Sequence, residues 1–195
     1  MVYITLDEPW HKLVPTYQAA ATWACHTLGL GNQRACLVIG SPLGEVSALQ
    51  RDGWHVTYLD IRVPPAMPKV VIKQGDACRQ PFDDASFDAI SSTCVLCHVG
   101  TGRYGDALDA DGPRQFVAEC QRVLKPGGIL VMMVGPVSTT AGMVEKHRVT
   151  SLEQTREWIQ QSGFIWLDHA RTKGDTGEWT TETTDGYLCV ACEHP

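Results

Sequence analysis

Two aspartates stand where short apolar runs end: Asp60 after residues 54–59, and Asp76, behind Gly75, after residues 70–74. A carboxylate directly after a buried strand, ~20 residues beyond a glycine turn, can accept both hydrogen bonds of a ribose diol. Asp60 meets that condition, and it can equally cap a turn before Arg62. The glycine turn is Gly40-Ser41-Pro42-Leu43-Gly44, set between an apolar run and a helical pattern. Glycines there either let backbone amides approach a polar ligand at a helix start or merely make a tight strand-to-helix turn. A third group lies at His98 and Gly102-Arg103-Tyr104-Gly105-Asp106. His98, with an ordinary pKa near ~6.5, can take a proton from a hydroxyl or amine, or can bond the loop backbone instead. Arg103, Tyr104 and Asp106 can hold a polar substrate, and Arg103 with Asp106 can instead brace the glycine-rich loop as a pair.

Other spacings carry less. Cys94-Val95-Leu96-Cys97-His98 has the spacing of covalent haem attachment, which requires export, and no leader of basic then apolar residues opens the chain. Cys189 and Cys192, three apart in an apolar run, should point to opposite faces of a strand and cannot share one zinc ion. Asp106, Asp109 and Asp111 lack the first ligand and the distal glutamate of a calcium loop. No metal is expected. The six tryptophans can line a pocket or pack a core.

The elements that would position these residues alternate along the chain. Apolar runs at 35–39, 54–59, 70–74, 87–91 and 129–134 read as strands, with helices at 45–52 and 113–124. A helical run at about 16–28 precedes them, ended by Gly29 and Gly31. Ser151 caps a helix through residue 161, closed by Gly163, and runs at 164–168 and 186–192 make two last strands around a Thr- and Gly-rich loop at 173–185. Such alternation builds a mostly parallel sheet with helices on both faces and ligands bound outside the carboxyl ends of the strands.

Composition sets the bounds. The 195 residues suit one domain, able to bury roughly two-thirds of its unfolded surface without a disulfide or metal. A net charge of -6 and the lack of any Lys/Arg run argue against a nucleic-acid groove. No segment approaches the ~20 apolar residues of a membrane span, and the eight cysteines read as thiols of a cytoplasmic protein.

Gly75-Asp76-Ala77, the run Pro81-Phe82-Asp83-Asp84-Ala85-Ser86-Phe87-Asp88, and Arg122-Val123-Leu124-Lys125-Pro126-Gly127-Gly128 follow one another at successive strand ends. Together they resemble a class I S-adenosylmethionine-dependent methyltransferase. The loop Leu96-Cys97-His98-Val99-Gly100-Thr101-Gly102-Arg103-Tyr104-Gly105-Asp106 is similar to that of a small methyltransferase-like group, with Cys97 in place of a glutamate. The resemblance covers roughly residues 35 to 135. It departs from the family at Val38, where an acid is usual, and at Pro42, where a glycine is usual.

The resemblance implies a Rossmann-like, seven-stranded, mostly parallel sheet with an antiparallel C-terminal hairpin in a single domain, in which residues 1–33 cover a core at 34–195. It implies S-adenosylmethionine held by Gly40, Ser41, Gly44, Asp60, Ile61, Asp76, Ala77 and Thr93, with Asp76 accepting from the adenine amino group. Methyl transfer to an oxygen or nitrogen of a small molecule is the implied reaction, with His98 as a candidate base and Arg103, Tyr104 and Asp106 on the substrate. The Asn/Asp-Pro-Pro-aromatic motif of many DNA amine methyltransferases is absent after the fourth strand, so neither DNA nor RNA is the expected partner. Nicotinamide binding would call for Gly-x-Gly-x-x-Gly, and Pro42 breaks it. The competing class is a domain that keeps the fold but acts as a binding or partner-stabilising module, motivated by Val38, Pro42 and Cys97.

Overall fold

The structure is a computed structural model and describes residues 15–63, 65–138, 141–144, 146–173, 176–180 and 186–195. Helix α1 (Pro15–Leu28) leads into β1 (Ala35–Ile39), α2 (Leu43–Arg51), β2 (His55–Asp60), β3 (Val71–Gln74), β4 (Phe87–Thr93), α3 (Gly112–Val123) and β5 (Leu124–Val137). There follow β6 (Gly142–Val144), β7 (His147–Val149), α4 (Leu152–Gln161), β8 (Ile165–Lys173), β9 (Trp179–Thr180) and β10 (Gly186–Glu193). Residues 1–14 of the segment expected to cover the core lie outside the described residues. Among those residues, no helix is long and apolar enough to cross a membrane.

One sheet runs in the order β3-β2-β1-β4-β5-β10-β8-β9, parallel from β3 to β5 and antiparallel from β5 onward. It has eight strands rather than the expected seven. The extra one is β9, inside the stretch read as a loop, where Trp179 and Thr180 pair with Thr172 and Arg171. Strands β6 and β7 form a separate two-stranded hairpin that the sequence reading left out. Strand β5 also starts earlier than expected, at Leu124, which pairs with Phe87 of β4.

Alternation along the buried strands divides the apolar side chains between two faces. Cys36 and Val38 of β1 join Val46, Leu49, Trp54 and Tyr58 in a core under α1 and α2. Leu37 and Ile39 join Phe116, Val117 and Cys120 of α3 and Trp158 and Ile159 of α4 in a larger core on the opposite side. At about 25 cal/mol per Å² of apolar surface, these two layers are the main term holding the sheet between its helices. Cys192 belongs to the larger core and Cys189 to a smaller cluster with Ala20 and Cys97, so the two thiols do lie on opposite faces.

The chain leaves β1 toward β2 and β3 on one side, then returns to place β4 on the other. The carboxyl ends of β1 and β4 therefore flank a topological switch point, where a parallel sheet opens a crevice. Ser151 caps α4 as expected, accepting the Gln154 N–H at 3.0 Å, and Gly163 (φ +84°) lets the chain turn away from it.

Candidate functional site

A cleft of about 310 Å³ opens at this switch point. Its floor is built from the tips of β1, β2 and β3, through Ile39, Gly40, Leu59, Asp60, Ile61, Gly75, Asp76 and Ala77. Thr93, at the end of β4, and His98, Arg103, Tyr104 and Asp106, from the segment between β4 and α3, line its other half. Tyr17 of α1 and His147 of β7 complete the wall.

Gly40 is required at its position. Its φ is +60°, and a Cβ there would lie 2.5 Å from the Val95 side chain. Ser41 and Gly44 do not reach the cleft. The Ser41 hydroxyl is buried and accepts the Thr93 N–H (2.9 Å), while its carbonyl accepts the Tyr58 hydroxyl (2.9 Å). Ser41 thus ties the tips of β1, β2 and β4 together from behind. Gly44 is exposed on α2.

Beneath the loop sits Glu45, fully buried, accepting the hydroxyls of Ser91 and Thr93 (the latter at 2.9 Å). Burial pushes its carboxyl above the usual range, partly offset by hydrogen bonds from Ser91, Thr93 and Ser41. Val38, where the family usually has an acid, is buried among apolar side chains on the α1 and α2 face.

Asp60 is engaged on both oxygens. Arg62 donates its Nε (2.9 Å) and backbone N–H (2.9 Å) to Oδ1 and its Nη2 (2.6 Å) to Oδ2. The pair is nearly out of solvent, at 12% and 4% side-chain exposure. Burial works against the Arg62 charge, but the Asp60 hydrogen bonds and charge outweigh it and hold the guanidinium above its usual range. Asp60 therefore lines the cleft and closes the turn to Arg62. Asp76 accepts the Cys78 N–H on Oδ1 (2.8 Å), and its neighbour Ala77 also faces the cleft.

On the other side, Asp106 and Arg103 form no ion pair. The Asp106 carboxylate accepts the backbone N–H groups of Thr101 (3.1 Å), Gly102 (3.3 Å) and Tyr104 (3.2 Å), so it braces the loop alone. Arg103 instead lies against the Tyr104 ring, 5.5 Å from its centroid, with Nη1 3.3 Å from the His147 Nδ1. His98 packs between Tyr104 and His147, at centroid distances of 5.4 and 4.5 Å, and its Nδ1 lies 3.4 Å from the Lys146 carbonyl. Burial, then the His147 and Arg103 charges, push its pKa down to about 3. The imidazole is neutral over the whole physiological range, with little power to keep a proton.

The strand-tip residues fit a nucleoside cofactor. The conformation and close approach that only glycine tolerates at Gly40, the acid at each of two successive strand ends and the cavity volume all suit one. No acid stands at Val38 to complete the set. Tyr17, Arg62, Gln115 and His147 also line the cleft, and sequence reasoning did not place them there.

A family described as a methyltransferase domain matches residues 29–132, more than half of the chain. The chain belongs to the methyltransferase domain family. Its cofactor is accordingly S-adenosylmethionine. Among relatives of this methyltransferase domain, an uncharacterised protein of Haemophilus influenzae is 28% identical over 161 residues, covering 77% of this chain and 58% of that protein. A probable S-adenosylmethionine-dependent methyltransferase of Mycolicibacterium smegmatis is 29% identical over 104 residues, covering 53% of this chain and 35% of that protein. The chain thus spans less than three-fifths of the length of these curated relatives. The fold matches that of the Burkholderia thailandensis 1,6-didemethyltoxoflavin-N1-methyltransferase, solved with 1,6-didemethyltoxoflavin and S-adenosylhomocysteine. That match has a TM-score of 0.73 and 16% identity, and covers 93% of this chain and 79% of the other.

Proposed function

We propose that the chain transfers a methyl group from S-adenosylmethionine to an oxygen or nitrogen of a small molecule, with the cofactor on the strand-tip half of the cleft and the acceptor on the half beyond β4. The observation that carries this is that one cavity is lined both by Asp60 and Asp76 and by His98, Arg103 and Tyr104, with Arg62 paired to Asp60 and lying 5.0 Å from the Tyr104 ring centroid between them. When bound, S-adenosylmethionine supplies an electrophilic methyl on a sulfonium. Asp60 accepts from the ribose hydroxyls, Asp76 from the adenine amino group, and Gly40 lets backbone approach. Thr93 and Ile61 contact the body of the cofactor.

Positioning supplies most of the rate, because in-line approach needs aligned atoms more than a strong base. Nδ1 of His98 is turned to the Lys146 carbonyl, which leaves Nε2 to accept a hydrogen bond from the acceptor's hydroxyl or amine. With a pKa near 3 it orients the lone pair and does not retain the proton, which passes to water. Calorimetric titration with S-adenosylmethionine and S-adenosylhomocysteine tests the cofactor half. Unchanged affinity in both Asp60→Ala and Asp76→Ala would show that the pocket is wrongly assigned.

A second reading, a domain that keeps the fold and serves a partner, is favoured by the buried Val38 and by an Asp60 already saturated by Arg62. Cofactor binding with no methylated product in a broad metabolite screen would support it.

A further inference from the structure

The acids of the cleft are committed to donors of the chain itself. Asp60 is held by Arg62, Asp106 by three backbone N–H groups, and Asp76 by the Cys78 N–H. Asp109 accepts the Asp111 N–H (2.8 Å) and the Gln115 side chain (2.8 Å). Arg103 has no such balance. No carboxylate lies within ion-pair distance of it among the described residues, and its Nε is buried with no hydrogen-bond partner there. Its contacts are the Tyr104 ring and one ring nitrogen of His147. A guanidinium cannot shed its proton, and a half-buried cation without a counter-charge is costly, so the site is incomplete as it stands.

We propose that the acceptor molecule carries an oxyanion, a carboxylate or a phosphate, which docks on the Arg103 fork. Two anionic oxygens match the planar donors of a guanidinium. Tyr104, His98 and His147, packed against one another beside Arg103, line the same part of the cleft. The negative charge also compensates the positive sulfonium that shares the cleft. This assignment rests on the methyltransferase reading of the cleft and names the substrate class of its acceptor half.

The test uses the whole chain saturated with S-adenosylhomocysteine and titrated calorimetrically with benzoate, phenyl phosphate and neutral benzamide. At least one anion should bind the unmodified protein tenfold or more tightly than benzamide, in line with a charge-assisted pair. Arg103→Met should lose that preference while binding S-adenosylhomocysteine as before. Comparing benzoate with phenyl phosphate distinguishes carboxylate from phosphate. Equal binding of benzamide, retained anion binding in Arg103→Met, or no saturation by either anion at roughly 10 mM overturns the assignment. Should Arg103→Met also lose S-adenosylhomocysteine, Arg103→Lys decides: it keeps a point charge without the fork, and undiminished anion binding by it overturns the assignment too. Failure of the unmodified protein to bind S-adenosylhomocysteine would instead sink the cofactor half, a separate outcome visible before any anion is added.

Discussion

Arg62→Met separates the two demands made on Asp60. In the structure Arg62 takes both carboxylate oxygens, at 2.9 and 2.6 Å, in a pair almost excluded from water. In the proposed pose a ribose diol takes those same oxygens. Cofactor binding must therefore displace charge-assisted bonds worth together about 1.5–3 kcal/mol. Methionine preserves the length of the side chain and removes the competitor, leaving Asp60 with the backbone N–H of residue 62 (2.9 Å) and the Tyr58 hydroxyl (3.4 Å). Without ligand, an uncompensated and nearly buried carboxylate destabilises the fold, by about 2 kcal/mol here because the cleft admits water. At about 2–4 °C per kcal/mol for a chain of this size, the melting temperature falls by roughly 4–8 °C. S-adenosylhomocysteine then restores more than it does in the unmodified protein, and its affinity rises by about tenfold, the equivalent of 1.4 kcal/mol. Scanning calorimetry with and without S-adenosylhomocysteine, beside titration calorimetry, measures both effects. Weaker binding in Arg62→Met, matching that of Asp60→Asn, would refute the competition and make Arg62 part of the cradle.

Three further outcomes follow from the same geometry. A carboxyl raised by burial binds its proton more tightly folded than unfolded, so the Glu45 contribution is fully present below its unfolded pKa near ~4.3 and is lost as pH rises through the folded value; Glu45→Gln should therefore gain in melting temperature relative to the unmodified protein as pH goes from 5 to 8, and a constant deficit at every pH would contradict this. His98, pushed down to about 3, contributes stability that is present above ~6.5 and lost as pH falls toward 3; nitrogen-detected imidazole titration should show no His98 inflection above pH ~5, whereas one near 6.5 would place the ring in a wetter site. At Gly100 the backbone is left-handed (φ +69°) and an added Cβ would meet the Asp109 carbonyl; Gly100→Ala should cost about 1–2 kcal/mol for the backbone alone and several degrees of melting temperature, and a variant melting with the parent would mean that the loop yields freely.

Strand β3, a largely exposed edge strand, showed itself only through Val70, Val71 and Ile72, whereas β1 was legible because burial on both faces leaves Ala35–Ile39 as a short unbroken apolar run. The hairpin of β6 and β7 was not, since its three-residue strands are exposed or half-exposed and carry no apolar pattern. Strand β9 is only Trp179 and Thr180, too short to signal itself in a polar stretch. In the site, Asp60 could be placed because it directly follows residues 54–59, and Asp76 because it follows residues 70–74 behind Gly75. A sequence motif does not say which way a side chain turns, and Ser41 turns to the Thr93 N–H behind the loop. His147 enters from a hairpin that could not be foreseen, and Arg62 was visible only as the residue beyond a turn.

The cleft's two ends are supplied by different stretches of chain. Gly40, Asp60 and Asp76 stand at the tips of three neighbouring strands, of which β1 and β2 are fixed by the cores on both sheet faces and β3 by its pairing with β2. Arg103, Tyr104 and His147 come from two connections, one after β4 that is held largely by its own Asp106 and Asp109, and one after β5. On the proposed function, substitutions in those connections can change what is methylated while leaving the grip on the methyl donor intact. Acceptor preference is in that sense an exchangeable part, and relatives sharing the strand tips need share no substrate with this chain.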